Sequence, residues 1–108
     1  MVDKLFSGVM NGTVAQMAAD TQDIVGYHLV NDTAALSYAQ VFYKLAAEVT
    51  LGTTVADVVI PLTASGGATM QFSDKGWRTR GTGLSIAHTT TPTGLTSAAG
   101  FATFWRSR

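Results

Sequence analysis

The sequence predicts an all-β fold, a single β-sandwich of jelly-roll or immunoglobulin-like type with about seven to eight antiparallel strands. Three observations lead to this prediction. The chain has 108 residues, which is the length of one domain. Its β-branched and aromatic residues lie in segments of roughly four to ten residues bounded by Gly, Asn, Asp, Ser or Thr, as short strands do. No window of roughly 11 to 18 residues carries a convincing helical stripe.

Each predicted strand follows from this punctuation. We expect residues 1–12 to form an N-terminal arm and residues 13–108 to form the sandwich. Paired glycines in Ser65-Gly66-Gly67 predict a hairpin, because they supply the positive φ of primed turns. Pro61 lacks an N–H, so its strand is predicted to lie at an edge or at a bulge. The predicted strands are Thr13–Ala18, Asp23–Val30, Leu36–Ala46, Ala56–Leu62, Ala68–Ser73, Gly83–Thr89 and Gly100–Ser107.

Two of these strands are apolar on both faces. In the strand from Leu36 to Ala46 one face is apolar, and the opposite face carries Tyr38 and Phe42. In the last strand Ala102 and Phe104 lie on one face, and Phe101 and Trp105 lie on the other. A strand that is apolar on both faces is buried on both faces, but a two-layer sandwich buries only one. The second face must therefore be covered by a loop, by the N-terminal arm or by another protein.

The composition favours a protein that packs against neighbours. Charged residues make up 13% of the chain, about half the ~25% usual in soluble domains. Such a surface is poorly suited to keeping a monomer dispersed, so we expect self-association or another protein partner. The alternative is a β-protein that is simply rich in threonine, of which there are 16.

The charges are divided unevenly along the chain. All seven acidic residues lie within residues 1–74, whereas residues 75–108 carry five cations and no acid. These halves could pair within one fold, meet between copies, or leave a basic patch for an acidic partner. Five cations are too few to predict direct binding of nucleic acid.

Residues for catalysis, metal binding or membrane insertion are scarce. The chain has no cysteine and two histidines, His28 and His88, and neither has a carboxylate at metal-ligand spacing. No apolar run approaches the ~20 residues that span a bilayer, and Met1–Met10 lacks a signal-peptide pattern. We therefore expect no enzyme activity, no cofactor, no metal and no membrane partner.

Three stretches together resemble a known group of proteins. They run from Gly26 to Ala35, from Tyr38 to the Gly66-Gly67 pair, and from Lys75-Gly76-Trp77-Arg78 through Gly83–Thr90 to the closing strand. This order is similar to that of small β-sandwich proteins of tailed bacteriophages, which are minor virion components such as capsid decoration (cement) proteins. The resemblance implies a structural protein of the virion, assembled in the host cytoplasm, that binds the major capsid protein or other virion proteins on the capsid exterior.

Aromatic and arginine side chains are the residue types that anchor protein interfaces. We therefore predict the contact residues to be Tyr38, Phe42, Trp77, Arg78, Arg80, Trp105 and Arg106. Trp105→Ala or Arg80→Ala is expected to weaken binding to capsids while leaving the fold intact. Two alternatives stay open: an accessory protein of the tail, fibre or baseplate, and a carbohydrate-binding module that stacks sugars on Trp77 or Trp105.

Overall fold

The computed structural model describes residues 2–72 and 77–107, and these form two antiparallel sheets packed face to face. The predicted all-β sandwich is thus confirmed, with nine strands in the described residues rather than seven to eight. The only helical element among the described residues is the 3-10 turn Ala46–Glu48. The strands are β1 (Val2–Met10), β2 (Ala15–Ala18), β3 (Asp23–Asn31), β4 (Ser37–Phe42), β5 (Val58–Leu62), β6 (Gly67–Gln71), β7 (Trp77–Arg78), β8 (Leu84–Thr89) and β9 (Gly100–Ser107).

The strand order is that of a jelly roll. The five-stranded sheet has the order β1-β9-β3-β6, and β7 pairs with β3 beyond the end of β6. The four-stranded sheet has the order β2-β8-β4-β5. When the two-residue β7 is set aside, the chain changes sheet at every connection except the one from β4 to β5, as it does in the two Greek keys of a jelly roll. The immunoglobulin-like alternative is therefore not the one adopted.

The N-terminal segment is a strand of this fold and not a separate arm. Val2–Met10 pairs with β9 over its whole length, from Val2 opposite Ser107 to Met10 opposite Gly100. Phe6 and Met10 point into the core, where Met10 is completely buried. Glycine and charged residues obscure the alternation of apolar residues in β1, which is why the sequence predicted an arm instead of a strand. In a jelly roll the first strand lies beside the last one, as β1 lies beside β9 here.

The Ser65–Gly67 turn also differs from the predicted hairpin. β5 and β6 belong to different sheets, so the turn carries the chain from one layer to the other. Ser65, not a glycine, takes the positive φ of 52°. Gly67 is needed for space, because a Cβ there would lie 2.0 Å from the Leu29 carbonyl oxygen. Pro61 lies on β5, at an edge of its sheet, as predicted.

The core lies between the sheets and extends into a chain of aromatic rings. Phe104 and Tyr27 of the five-stranded sheet have ring centroids 5.6 Å apart. Tyr27 then contacts Phe72, Phe72 contacts Trp77, and Trp77 contacts Tyr43, at centroid distances of 6.1 to 6.2 Å. Tyr43 directly follows β4 of the other sheet, so this chain of rings links the two layers.

Candidate interaction surface

The outer face of the four-stranded sheet is covered by the protein's own loops. On this face of β4 and β8, Gln40, Phe42 and Ala87 are at most 1% exposed. The Gln40 amide donates to the Gly94 carbonyl oxygen at 3.0 Å, which holds the loop after β8 against the sheet. The Ser85 hydroxyl donates to the Lys44 carbonyl oxygen at 2.8 Å, which holds the segment after β4 there as well. Of the three covers that the sequence allows, a loop is the one used on this sheet.

The outer face of the five-stranded sheet carries no such cover among the described residues. Side chains alternate between the two faces of a strand, and alternate residues of β3 and β9 lie in the core. The remaining residues of these strands, and the residues of β1 and β6 that pair with them, therefore point outward. We call this set the open face. It comprises Val2, Lys4, Ser7, Val9, Gly26, His28, Val30, Gly67, Thr69, Gln71, Phe101, Thr103, Trp105 and Ser107.

An apolar row crosses the open face near one end. Val9 pairs with Phe101, and Phe101 pairs with Val30, so three apolar side chains on three strands lie side by side. Val9 is 62% exposed and Phe101 is 42% exposed. Large apolar side chains that adjoin one another in this way on a surface are typical of sites of protein contact.

The middle of the open face is polar but uncharged. The Ser7 and Thr103 hydroxyl oxygens are 3.2 Å apart, and His28 Nδ1 is 2.7 Å from the Thr69 hydroxyl oxygen. These side chains satisfy one another by hydrogen bonding across neighbouring strands. Lys4, at the rim, is the one residue of the open face with a formal charge.

Trp105 lies at the far end of the open face. It pairs with Gly26 across β3, and its ring lies over that glycine, 3.8 Å from the position of an added Cβ. The indole is half-buried and borders a shallow depression lined by Thr69 and Gln71. Of the seven predicted contact residues, Trp105 is the one on the open face.

Two predicted contact residues belong to the covered sheet. Phe42 is completely buried beneath the protein's own loops, so it is not available to a partner in the folded chain. Tyr38 is half-buried on the same face, where it pairs with Thr89 and Pro61. The alternation of β4 correctly indicated a strand buried on both sides, but the cover is internal.

Trp77 closes one open side of the sandwich. Its indole N–H donates to the Tyr43 hydroxyl at 2.7 Å, and its ring packs between Phe72 and Tyr43. The tryptophan is half-buried in these contacts. This arrangement makes Trp77 a structural residue that joins the two layers.

The three predicted arginines have different surroundings. Arg78 binds both carboxylate oxygens of Asp23, at 2.8 and 3.0 Å, and Arg106 binds Asp3 at 3.3 Å. The acidic and basic halves of the sequence therefore pair within the fold at these two places. Arg80 is exposed beside a cleft between β5 and β6, and in the described part of the chain no carboxylate pairs with it.

One imidazole lies in the core. His88 is completely buried, and its Nε2 is 2.5 Å from the Ser37 hydroxyl oxygen. Desolvation lowers the pKa of His88, although the Ala98 and Met10 carbonyl groups and the Asp32 charge act in the opposite direction. Burial also raises the pKa of Tyr27.

Within residues 2–72 and 77–107, no cluster of three or more His, Cys, Asp or Glu side chains could hold a metal ion. No helix in these ranges is long and apolar enough to cross a membrane.

Sequence reasoning missed the row of Val9, Phe101 and Val30. Alternation in the last strand placed Phe101 and Trp105 on one face, which was a usable signal. Val9 and Val30 gave none, because they join Phe101 only through the pairing of β1 and β3 with β9. Strand pairing of this kind links residues far apart in the sequence.

Comparisons with known proteins add no relative to these observations. The chain matches no protein-family model, and neither a curated protein nor a solved structure is significantly similar to it.

Proposed function

We propose that this chain is a non-enzymatic structural protein of a bacteriophage particle, bound to the capsid exterior as a decoration protein that stabilises the shell. The contact surface in this proposal is the open face. The observation that carries the proposal is the contrast between the two sheets: loops cover one outer face, while the other exposes Val9 and Phe101 side by side.

The character of the open face fits contact with a large protein surface. Its centre carries no Asp, Glu, Lys or Arg, so docking it against a neutral surface strands no such charge. Phe101 and Trp105 supply aromatic anchors on either side of a polar centre that can hydrogen-bond to a partner. Jelly-roll sandwiches recur in viral capsid proteins and in lectins, although fold alone does not decide function.

The size of the face matters for how it would bind. Four strands spaced about 4.8 Å apart, each rising about 3.3 Å per residue over about eight residues, give a face on the order of 500 Å² in projection. A stable protein interface buries about 800 Å² on each partner. One open face is therefore modest, and a decoration protein overcomes such a limit by binding in many linked copies.

A tail, fibre or baseplate location would use the same face in the same way. The resemblance in the strand and turn pattern covers roughly residues 13–106 and implies a minor virion component without fixing its position. The capsid exterior is our choice because a face built from four adjacent strands suits a broad shell.

A carbohydrate-binding role is the second candidate, and one observation favours it. Trp105 borders a depression whose other side chains include Thr69 and Gln71, and an aromatic ring beside hydroxyl and amide groups can bind a sugar. Binding of the isolated chain to a glycan array, abolished by Trp105→Ala, would favour this role. Absence of glycan binding leaves the structural proposal in place.

The proposal is tested on particles of the phage that encodes the chain. Particles purified by density gradient should contain the chain at a fixed ratio to the major shell protein, and mass spectrometry measures that ratio. Shells lacking the chain should open at lower temperature or lower osmotic stress than complete shells, and adding purified chain back should restore them. Particles that lack the chain, or that carry it at a variable trace level, would contradict the proposal.

A further inference from the structure

The four strands at the edges of the two sheets differ in how they are protected. Free sheet edges invite pairing with another chain, and proteins guard them with bulges, prolines, charges or short length. β1 has a bulge between Lys4 and Phe6, β2 has four residues and a bulge, and β5 contains Pro61. β6, a strand of five residues with the sequence Gly-Ala-Thr-Met-Gln, has no bulge, no proline and no charged side chain.

The hydrogen bonds around β6 identify which backbone groups are free. The Phe72 amide donates to the Val25 carbonyl oxygen and the Asn31 amide donates to the Gly66 carbonyl oxygen, at 2.8 and 2.7 Å. These two bonds fix the alternation of the β3–β6 ladder, in which Ala68 pairs with Leu29 and Met70 with Tyr27 through hydrogen bonds. The N–H and C=O groups of Gly67, Thr69 and Gln71 therefore point away from β3, and no bond within the described residues uses them.

This edge is complementary to itself. If two copies of β6 run antiparallel about a two-fold axis at Thr69, Thr69 lies opposite Thr69, and Gly67 lies opposite Gln71 of the other copy. All three free donors of each copy then meet the three free acceptors of the other. No charged side chain stands on the strand, so the pairing brings no like charges on β6 together.

We propose that β6 joins two copies of this chain edge to edge, which extends the five-stranded sheet across a two-fold axis. Met70, which is 44% exposed beside the cleft between β5 and β6, would then face Ala68 of the other copy and lose exposure. A pairing of two identical edges is a closed, isologous contact, so it stops at the dimer and does not propagate into fibres.

The dimer also has a consequence for the open face, and this part rests on the proposed function. Two open faces joined at β6 form one continuous surface on the order of 1,000 Å² in projection, twice the estimate for a single chain. That area exceeds the roughly 800 Å² per partner of a standard interface. The dimer is tested on the isolated chain, without particles. If no dimer forms, the open face of the single chain remains the proposed contact surface.

Sedimentation of the purified chain tests the dimer. Between about 10 μM and about 1 mM, where small interfaces associate, the apparent mass should rise from that of a monomer toward twice that value. Thr69→Pro should keep it monomeric, because that amide points away from β3 and the proline removes no bond of the ladder. Thr69→Val retains the amide and should still dimerise. A wild-type chain that stays monomeric at the highest concentration would overturn the proposal, as would a dimer that Thr69→Pro leaves unchanged while its circular dichroism is native.

A crosslink test does not depend on the proline variant folding. The natural chain has no cysteine, so Thr69→Cys introduces a single reporter on the proposed axis. Hydrogen-bonded antiparallel partners have Cα atoms about 5.5 Å apart, which a disulfide can span. Under mild oxidation Thr69→Cys should form a covalent dimer quickly, whereas Ser7→Cys, exposed on β1 at the opposite edge, should not. Equal crosslinking of both variants, or none by Thr69→Cys, would refute pairing through β6.

Discussion

At His88 the fold buries an imidazole completely. Ser37 satisfies Nε2, whereas Nδ1 has no hydrogen-bond partner within residues 2–72 and 77–107 and lies against Gly100, where an added Cβ would be 2.7 Å away. Burial of this ring lowers its pKa and so disfavours its charged form, since the opposing effect of the Asp32 charge does not outweigh the loss of hydration. The neutral form is thus part of the folded state.

This gives stability a defined pH dependence. The pKa of His88 is lower in the folded chain than the ordinary value of 6.5, so the stabilising neutral form is fully present above that pH. As the pH falls below about 6.5, the unfolded chain binds a proton that the folded chain does not, and the free energy of unfolding falls by up to about 1.4 kcal/mol per pH unit. Urea unfolding at pH 7.5, 6.5, 5.5 and 5.0 measures this loss.

The exposed histidine provides the control. His28→Gln should retain the whole dependence, because its ring is exposed on the open face. The carboxylate of Glu48 has a pKa below its usual 4.5, so its contribution is lost only at more acidic pH and does not enter this window. If the free energy of unfolding is the same at pH 7.5 and pH 5.0, His88 does not have this effect. If His28→Gln abolishes the pH dependence, His88 is not its cause.

At the same scale, the sequence could predict which residues are apolar on a second face but not what covers them. Phe42 and Trp77 look alike in the sequence as surplus aromatics, yet loops cover the first, and Phe72 and Tyr43 enclose the second. Tyr43, one of the two rings that enclose Trp77, lies 34 positions away from it along the chain. Local alternation contains no information about such contacts.

The strands themselves were largely predictable. Each of the seven predicted strands overlaps an observed one, and Gly100–Ser107 matches fully, because the glycines and the turn residues around them mark real ends. The strand predicted from Leu36 to Ala46 ends at Phe42, since the Tyr43 amide donates to the Asp57 carboxylate and leaves the ladder. Residue 73, at the end of another predicted strand, lies outside the described residues.

β1 was predicted to be an N-terminal arm, but it is a strand of the five-stranded sheet. Removing it tests whether the fold depends on this strand. A chain of residues 13–108 loses Met10 and Phe6 from the core and uncovers the edge of β9. Removing one large core side chain costs about 2–5 kcal/mol, and whole domains are stable by only about 5–15 kcal/mol. We expect the truncated chain to show no cooperative thermal transition by circular dichroism. A cooperative transition near that of the full chain would instead indicate a dispensable arm.

For the whole molecule, the order of strands explains why one face is left open. In the jelly roll the long loops that follow β4 and β8 fold back over the four-stranded sheet, whereas β9 ends on the five-stranded sheet without a covering segment among the described residues. The sequence predicted two layers from composition and punctuation alone. It could not predict which layer would be covered, because that depends on which strands lie at the centre of each sheet.

The open face is the central claim, and binding of variant chains to particles tests it most directly. Phe101→Ser removes the middle of the apolar row, and Leu95→Ser is its matched control, since Leu95 is 64% exposed on a loop over the other sheet. Co-sedimentation with shells that lack the chain measures the fraction bound. We predict that Phe101→Ser lowers the affinity for the shell at least tenfold, which is a loss of about 1.4 kcal/mol of binding free energy. Leu95→Ser should bind like the unaltered chain. Equal binding by Phe101→Ser and the unaltered chain, with both folded, would contradict the claim that this face holds the protein on the particle.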